Sequence, residues 1–430
     1  MIISVMVFLS CGSGNAETPQ QTQGSIADTN EASILGTVNG DKIIVDKDVD
    51  LMGNVCKIPA NKTLVFKGGL IKNGVLHGSM TKIECNGKAF NRVTIRGSWD
   101  VPEISTKLFA DLNYENSLRD VVALAHPKVQ NKIVIEKGEY KVRAEKISKV
   151  CVSIFSNVDL IFKGIIRLVP NDLNGYNIIQ AKGENISIKG NGTIIGDKHT
   201  HTGTTGEWGI GIELNGANNS TVSGLTIKDC WGDCIYVGGN SQNVIIEKCR
   251  LDHGRRQGIS VTKADGVTIR NCTITNVGGT NPQYAIDIEP NRLDSVDNIL
   301  IENVTVNDCE GGLAVSRKKH RDGVKTPWIG KVTIRHCKVS CKSKFPVWVK
   351  RCKEVQIEKC SFYAQKGRSA IYVAETEKAT VLNNTASIDG SIIEKTINGA
   401  KRLMEKGADP IHVKTKGKSI VKNNKVVERE

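Results

Sequence analysis

Aromatic side chains are scarce in this chain: five Trp, seven Tyr and eight Phe make up 5% of 430 residues. That argues against a core assembled around large rings. Together with 42 glycines it favours narrow units joined by tight turns. Long apolar runs are missing as well. The N-terminal run in MIISVMVFLSCGSGNAE is too short to span a bilayer as a helix. Acidic residues are in deficit, 45 Asp and Glu against 59 Lys and Arg, and the formal net charge of +14 at pH 7 predicts an anionic partner or surface. No nucleic-acid-binding motif accompanies that charge. A polyanionic glycan is therefore the better expectation, and no nucleic-acid partner is expected. Zinc spacing is also absent, because Cys230 and Cys234 have no second matching pair. The 13 cysteines are odd in number and mostly fall in repeat register, which predicts buried, unpaired thiols serving as small hydrophobes.

What the chain does have is one short phrase written many times. Between Asn219 and Pro290 the segments GDCIYVGG, RQGISVTK and QYAIDIEP align, with Ile235, Ile259 and Ile286 in one column and Val237, Val261 and Ile288 in the next. Upstream of each lies a second line: STVSGLTI, NVIIEKCRL and GVTIRNCTI. The pair recurs downstream as NILIENVTV with GGLAVS, KVTIRHCKV with PVWVK, and EVQIEKCSF with SAIYVA. Counted at the residue before the column isoleucine, positions 209, 234, 258, 285, 312, 346 and 370 give spacings of 25, 24, 27, 27, 34 and 24. A period in this range, built only from β-type runs, predicts a parallel β-helix. Alternate residues then point inward, and equal positions of successive coils stack at roughly 4.8 Å. Cys249, Cys272, Cys337 and Cys360 share one inward column with Leu225 and Val304.

The rest of the chain is organised around that stack. Residues 1–11 resemble the end of a lipoprotein signal, with Leu9-Ser10-Cys11-Gly12 placing a lipid anchor at Cys11, although a positively charged n-region is missing. Residues 12–35 are expected to be a flexible tether. A single β-helix domain is expected over 36–430: cap strands and an entry unit to 150, coils over 151–388, and a far cap over 389–430. Asn116-Ser117 followed by LRDVVALA predicts a short helix in the entry unit, and Ser391–Glu405 a C-terminal capping helix with its apolar residues on one face. The fold class is thus all-β, a right-handed parallel β-helix with N-terminal cap strands and helix and a C-terminal capping helix. The protein is expected to be exported, as an outer-membrane or cell-surface lipoprotein or in the periplasm, and to be a monomer or low-order oligomer.

Chemistry is expected where one strand column turns charged and aromatic residues outward. Its rim carries Glu207 and Trp208, then Trp231 and Asp233, then Arg255, Arg256 and Gln257, and the strands turn out Tyr236, Asp287, Glu289, Trp348 and Lys350. The loop Gly196–Glu207 adds His201. Aromatic faces stack on sugar rings, and carboxylates and arginines bind hydroxyls or charged groups and supply acid or base. A glycosidase needs two carboxyl groups. Glu207 and Asp233 are expected in adjacent register one coil apart. Asp233 and Asp287 should lie roughly 10 Å apart, and Asp287 and Glu289 about 7 Å apart on one strand. Asp233, Glu207, Asp287 and Glu289 are accordingly the catalytic candidates. Arg255, Arg256, Gln257, Trp208, Trp231, Tyr236, His201, Trp348 and Lys350 are the substrate-binding candidates, and no metal ligand is assigned. A plainer reading makes Asp233 and an arginine a structural ion pair and packs Trp208 and Trp231 beneath the loop.

These coils resemble the pectate-lyase-like right-handed β-helix superfamily and, over Trp208–Val261, glycoside hydrolase family 28, the polygalacturonases. The matching segments are Gly206-Glu207-Trp208-Gly209, Gly232-Asp233-Cys234-Ile235 and Arg256-Gln257-Gly258-Ile259-Ser260. Where that family carries three catalytic aspartates and a histidine, this chain keeps only Asp233; Trp208, Gly232 and Gln257 stand at the other positions. A second resemblance, to calcium-dependent β-helix lyases, implies Ca²⁺ held by Asp287 and Glu289, with Arg255, Arg256, Arg317 or Lys350 as base or acid. The expectation is an enzyme that cleaves an acidic polysaccharide, a glycoside hydrolase in preference to a metal-assisted lyase, with no certain cofactor. A non-catalytic glycan-binding surface protein is the reading from a different class.

Overall fold

A computed structural model describes residues 32–318, 326–389, 392–397, 400–405 and 409–429. The expected signal segment with Cys11 lies outside the described residues. The last four residues of the expected tether do not form a tether: Ala32–Leu35 is a helical turn that buries Ala32 and Leu35. From there on, β-branched residues alternate with polar ones, and the chain winds into a right-handed parallel β-helix. Val244 and Ile246, Val267 and Ile269, and Ile299 and Ile301 all point into one continuous core. Burying such side chains supplies about 1.5–3 kcal/mol each, and repetition from coil to coil sums it.

Three long parallel sheets run the length of the coil stack. One has 10 strands, from Val150–Ile154 to Ile411–Thr415; the others have 12 and 11. Parallel pairing begins earlier than the expected cap boundary, since Lys42–Val45 already pairs in parallel with Thr63–Phe66, and that strand with Ile71–Glu84. At the other end the expected capping helix is absent. Ile392–Ile397 and Ala400–Glu405 are instead antiparallel strands, with Ile397 opposite Ala400. The β-branched Ile392, Ile393, Thr396 and Ile397 favour a strand, and Asn398-Gly399 between the two runs is a hairpin dipeptide. The helical apolar face read from the sequence was equally compatible with the pattern of a hairpin. The runs after it, Ile411–Thr415, Ser419–Lys422 and Lys425–Arg429, form one more coil rather than a cap, each adding a strand to one of the long sheets. The entry helix is present as Ser117–Val122, but the Asn116 side chain does not cap it; its Oδ1 accepts from the Arg143 backbone N–H at 2.8 Å.

The cysteine column is as expected. Cys249, Cys272, Cys337 and Cys360 are buried with Leu225 and Val304, and none of the four forms a disulfide. Each of those four thiols follows a residue in the left-handed region: Lys248, Asn271, His336 and Lys359 have φ of 54–55°. That bend turns the chain from one sheet into the next, and the small side chain behind it fills the corner.

A second narrow column matters for the site. The residues before Ile235, Ile259, Ile286, Leu313, Val347 and Ile371 are Cys234, Gly258, Ala285, Gly312, Pro346 and Ala370, all of them compact. A Cβ on Gly258 would lie 2.5 Å from the Ala285 carbonyl oxygen and 2.7 Å from Ile274 Cγ2. Gly258→Val is therefore expected to cost at least about 1–3 kcal/mol, seen as a lower urea midpoint at unchanged slope. An unchanged midpoint would mean that the corner is not packed in this way.

Register corrects one expectation. Ile235 pairs with Ile212, not with Ile210, so the first spacing runs from Gly211 rather than position 209. The run Gly209-Ile210-Gly211-Ile212-Glu213-Leu214 alternates in either frame, and a slip of two residues leaves every side chain on its own face. Asp233 consequently lies beside Ile210 and Gly211, whose N–H donates to the Asp233 carbonyl at 3.0 Å. Glu207 and Asp233 are not in adjacent register.

Candidate active site

Outward residues of the 10-stranded sheet form one ladder through Gln180, Glu213, Tyr236, Ser260 and Asp287. From Glu213 onward they line a groove of about 570 Å³ together with Arg256, Glu289, Trp208, Asn177 and Lys149. Five residues singled out from the sequence thus border it directly: Asp287, Glu289, Arg256, Trp208 and Tyr236. Tyr236 shares a 2.7 Å hydrogen bond with Thr262 on the next coil, and Trp208 is 56% exposed at the groove edge.

Arg256 gathers the acids. Its guanidinium lies 3.2 Å from Asp233 Oδ2, 3.7 Å from Glu207 Oε2 and 3.8 Å from Glu289 Oε2. Asp233 is 2% exposed, and its Oδ2 also accepts from Ser260 Oγ at 2.5 Å. Burial pushes its carboxyl above the ordinary value, against the pull of Arg256 and Ser260. Burial also opposes the charge on Arg256, but Asp233, Glu207, Asp287 and Glu289 outweigh it and hold the guanidinium above its usual pKa. The ion pair of the plainer reading is present. Asp233 is half of it and orients Arg256.

Asp287 has a different environment. Gln257, itself fully buried, donates Nε2–H to Asp287 Oδ2 at 2.6 Å and accepts the Tyr284 backbone N–H on Oε1 at 2.9 Å. Gln257 is therefore a positioning residue behind the acid. Burial, and then the negative charge of Glu289, push the Asp287 carboxyl up to about 8, with Arg256 pulling only partly against them. Glu289 follows two residues along the chain, half-exposed, with Lys318 3.3 Å from its Oε1.

Other candidates hold the loop rather than the groove. Trp231 has the His201 ring stacked on it at 3.9 Å and the Arg255 guanidinium at 3.7 Å; two groups this close must take opposite faces. His201 Nδ1 lies 2.9 Å from Asp197 Oδ2, and Asp197 Oδ1 accepts the hydroxyl of buried Tyr176. Arg255 also donates to the carbonyl of Gly206 at 3.0 Å. His201, Trp231 and Arg255 thus fasten the Gly196–Glu207 loop, which brings Glu207 to Arg256 and Trp208 to the groove edge, and none of the three is among the groove-lining residues. Lys350 is paired with Glu375 at 2.9 Å. Trp348 stands two strands beyond Asp287, through Ala314. Arg317 is buried and donates to the carbonyls of Arg292 and Asp294.

Two acids escaped the sequence reading. Glu213 accepts side-chain amide N–H groups of Asn177 at 2.7 Å, Gln180 at 2.5 Å and Asn215 at 3.2 Å. The two-residue slip had placed Gly211 at its outward position. Asp197, 1% exposed, anchors the loop, and nothing in its local pattern marks it. Among the described residues no three His, Cys, Asp or Glu side chains converge as a metal site. Ca²⁺ takes six to eight oxygens, whereas Asp287 faces a glutamine amide and Glu289 a guanidinium, so this donor set is poorly matched to the ion implied by the lyase resemblance.

Residues 133–292 and 280–427 match the Beta_helix family, described as the right handed beta helix region. Two Bacillus subtilis (strain 168) proteins are similar in part. The SPbeta prophage-derived uncharacterized protein YorA is 29% identical over 208 residues, 43% of this chain and 34% of its own length. The uncharacterized protein YclG is 37% identical over 145 residues, 29% of this chain and 25% of its own. The chain therefore spans about a third of the length of the first and a quarter of the second. Among solved structures, the A-module of the Azotobacter vinelandii mannuronan C-5 epimerase AlgE6 matches with a TM-score of 0.56 at 15% identity, over 73% of this chain and 82% of that one. At that identity the likeness is one of fold.

Proposed function

We propose that this chain, which belongs to the right handed beta helix family, binds a polysaccharide along the groove and hydrolyses its glycosidic bonds. The observation that carries this reading is Asp287: a buried carboxyl opening on the groove, raised to about 8, with a second carboxylate, Glu289, two residues along. A carboxylic acid that keeps its proton at neutral pH can give it to a leaving glycosidic oxygen. The partner carboxylate then acts as base or nucleophile, a role for which Glu289 is the candidate on this strand. Arg256 holds Glu289 and Glu207 at fixed distance and tempers the repulsion among the acids. Lipid attachment at Cys11, and with it export, remains part of this proposal and rests on the Leu9-Ser10-Cys11-Gly12 sequence alone.

The lyase alternative asks for a neutral base beside a cation. Arg255 stacks on Trp231, Arg256 is ringed by carboxylates and Arg317 is bound to carbonyls, which favours hydrolysis. Incubation with a panel of polysaccharides is expected to release new reducing ends without the near-ultraviolet absorbance of unsaturated products, and Glu289→Gln to lower that rate about 10²-fold or more. Unsaturated products lost on chelation would sink the hydrolase reading, and binding without any product would leave a glycan-binding protein.

A further inference from the structure

The ladder that carries Asp287 does not end there. Its next outward positions are Ala314, Trp348, Tyr372 and His412, in Cα register one strand apart. At roughly 4.8 Å per strand this extends some 19 Å beyond the acid. Four of the chain's twenty Trp, Tyr and Phe residues gather here with His412. Tyr284 and Trp348 stack at 6.2 Å and 14°, Tyr372 and His412 at 4.8 Å and 12°, and Phe345 tilts against Tyr372 at 5.2 Å. Gly311 makes the first contact feasible: a Cβ there would lie 2.5 Å from the Tyr284 ring. Trp348, Tyr372, Phe345 and His412 remain half-exposed, so their apolar surface is open to solvent.

Two cations flank this strip. Lys344 Nζ lies 5.5 Å from the centre of the Tyr284 ring and is hydrogen-bonded to neutral acceptors, Asn281 Oδ1 and the Pro282 carbonyl. The Arg368 guanidinium lies 5.6 Å from the centre of the Phe345 ring. Among the described residues neither is paired with a carboxylate. The strip is joined to the acid by one side chain: Gln257 bonds both Asp287 and the backbone of Tyr284.

We propose that the groove continues C-terminally along Trp348, Tyr372 and His412 as a run of subsites for an anionic glycan. Ring edges and faces take the apolar surface of the sugars, and Lys344 and Arg368 receive their carboxylate or sulfate groups. This rests on reading the Asp287 groove as a glycan site. It adds the residues that would receive the charge of an acidic substrate and the direction in which the chain lies. A pyranose is about as long as one strand spacing, so successive sugars meet successive coils. An uncharged glycan leaves the two cations without partners, and the charge of +14 favours the acidic polymer at long range.

The test is affinity electrophoresis of the full chain carrying Asp287→Asn, so that bound polymer is not cut, in gels containing polygalacturonate, alginate or dextran. At least one acidic polymer is expected to retard it, and dextran is not. Adding Trp348→Ala or Tyr372→Ala is expected to weaken retardation about tenfold, a loss of about 1.4 kcal/mol. Lys344→Met with Arg368→Met should weaken it similarly and flatten its salt dependence. Circular dichroism checks that each variant is folded. Equal retardation of all variants, equal retardation by dextran, or none by either acidic polymer each overturns the proposal. The hydrolase reading is judged separately, by reducing ends released by the unsubstituted protein. Cleavage with unaffected Trp348 and Tyr372 variants keeps the hydrolase and removes these subsites, whereas ring-dependent binding without cleavage does the reverse.

Discussion

Asp287→Asn is expected to lower the rate of polysaccharide cleavage by about 10²–10⁴-fold, the range for loss of a positioned general acid, with little change in fold. Asn keeps the shape of the side chain and an oxygen that can accept from Gln257 Nε2, but it has no proton to give. The pH dependence follows from the same group. Activity should persist while Asp287 is protonated and fall as pH rises through about 8. The sign for stability is the reverse of that for a salt-bridged carboxylate. Between the ordinary value of 3.8 and about 8, the folded state holds a proton that the unfolded chain has released, so this group makes stability decline as pH rises across that interval. The Asn variant lacks that decline. Its melting temperature should gain on that of the parent from pH 4 to 8 and then run parallel. A parallel course throughout would show that Asp287 is not the buried titrating group, and undiminished cleavage that it is not the acid.

Arg256→Met should have the largest effect on stability. It removes the cation from Asp233, which is 2% exposed, and from Glu207 and Glu289. Breaking a buried pair from one side costs about 3–5 kcal/mol, because the remaining charge is stranded without water. The double variant with Asp233→Asn should recover part of that loss, since no buried charge is then orphaned; a double-mutant cycle measures the coupling. Cleavage should fall in both, because the groove acids lose their common clamp. Asp233→Asn alone should weaken activity rather than abolish it, as Asp233 acts through Arg256 and lies outside the groove lining. If Arg256→Met melted within a degree or two of the parent, Arg256 would not be holding a buried charge at Asp233.

The site was legible in proportion to how much of it depended on face rather than on neighbour. Asp287, Glu289, Tyr236 and Arg256 lie on the groove because alternation alone turns them outward on a repeated strand or rim. Gln257 stands at a rim position in the repeat, but its long side chain folds back to Asp287 and Tyr284. Trp231, His201 and Arg255 share the rim and loop by sequence position, yet in space they form a stack that fastens a loop. Glu213 was missed through a slip of two residues. Lys350 stands on the expected face, yet it is neutralised by Glu375 from the next coil.

Taken by itself, the sequence determined the coil, its inward set, the cysteine column and the face on which chemistry gathers, because period-two alternation and a repeat near 25 residues suffice to specify them. It could not determine register beyond a multiple of two, the hairpin near the C-terminus, or which charged side chains would meet. Those depend on contacts between residues some 23–30 positions apart, such as Arg256 with Asp233 and Gln257 with Asp287, and on the path of one twelve-residue loop from Gly196 to Glu207. Only the stacked coils bring such groups within a few ångströms in a medium dry enough for one carboxyl to keep its proton and another to need an arginine.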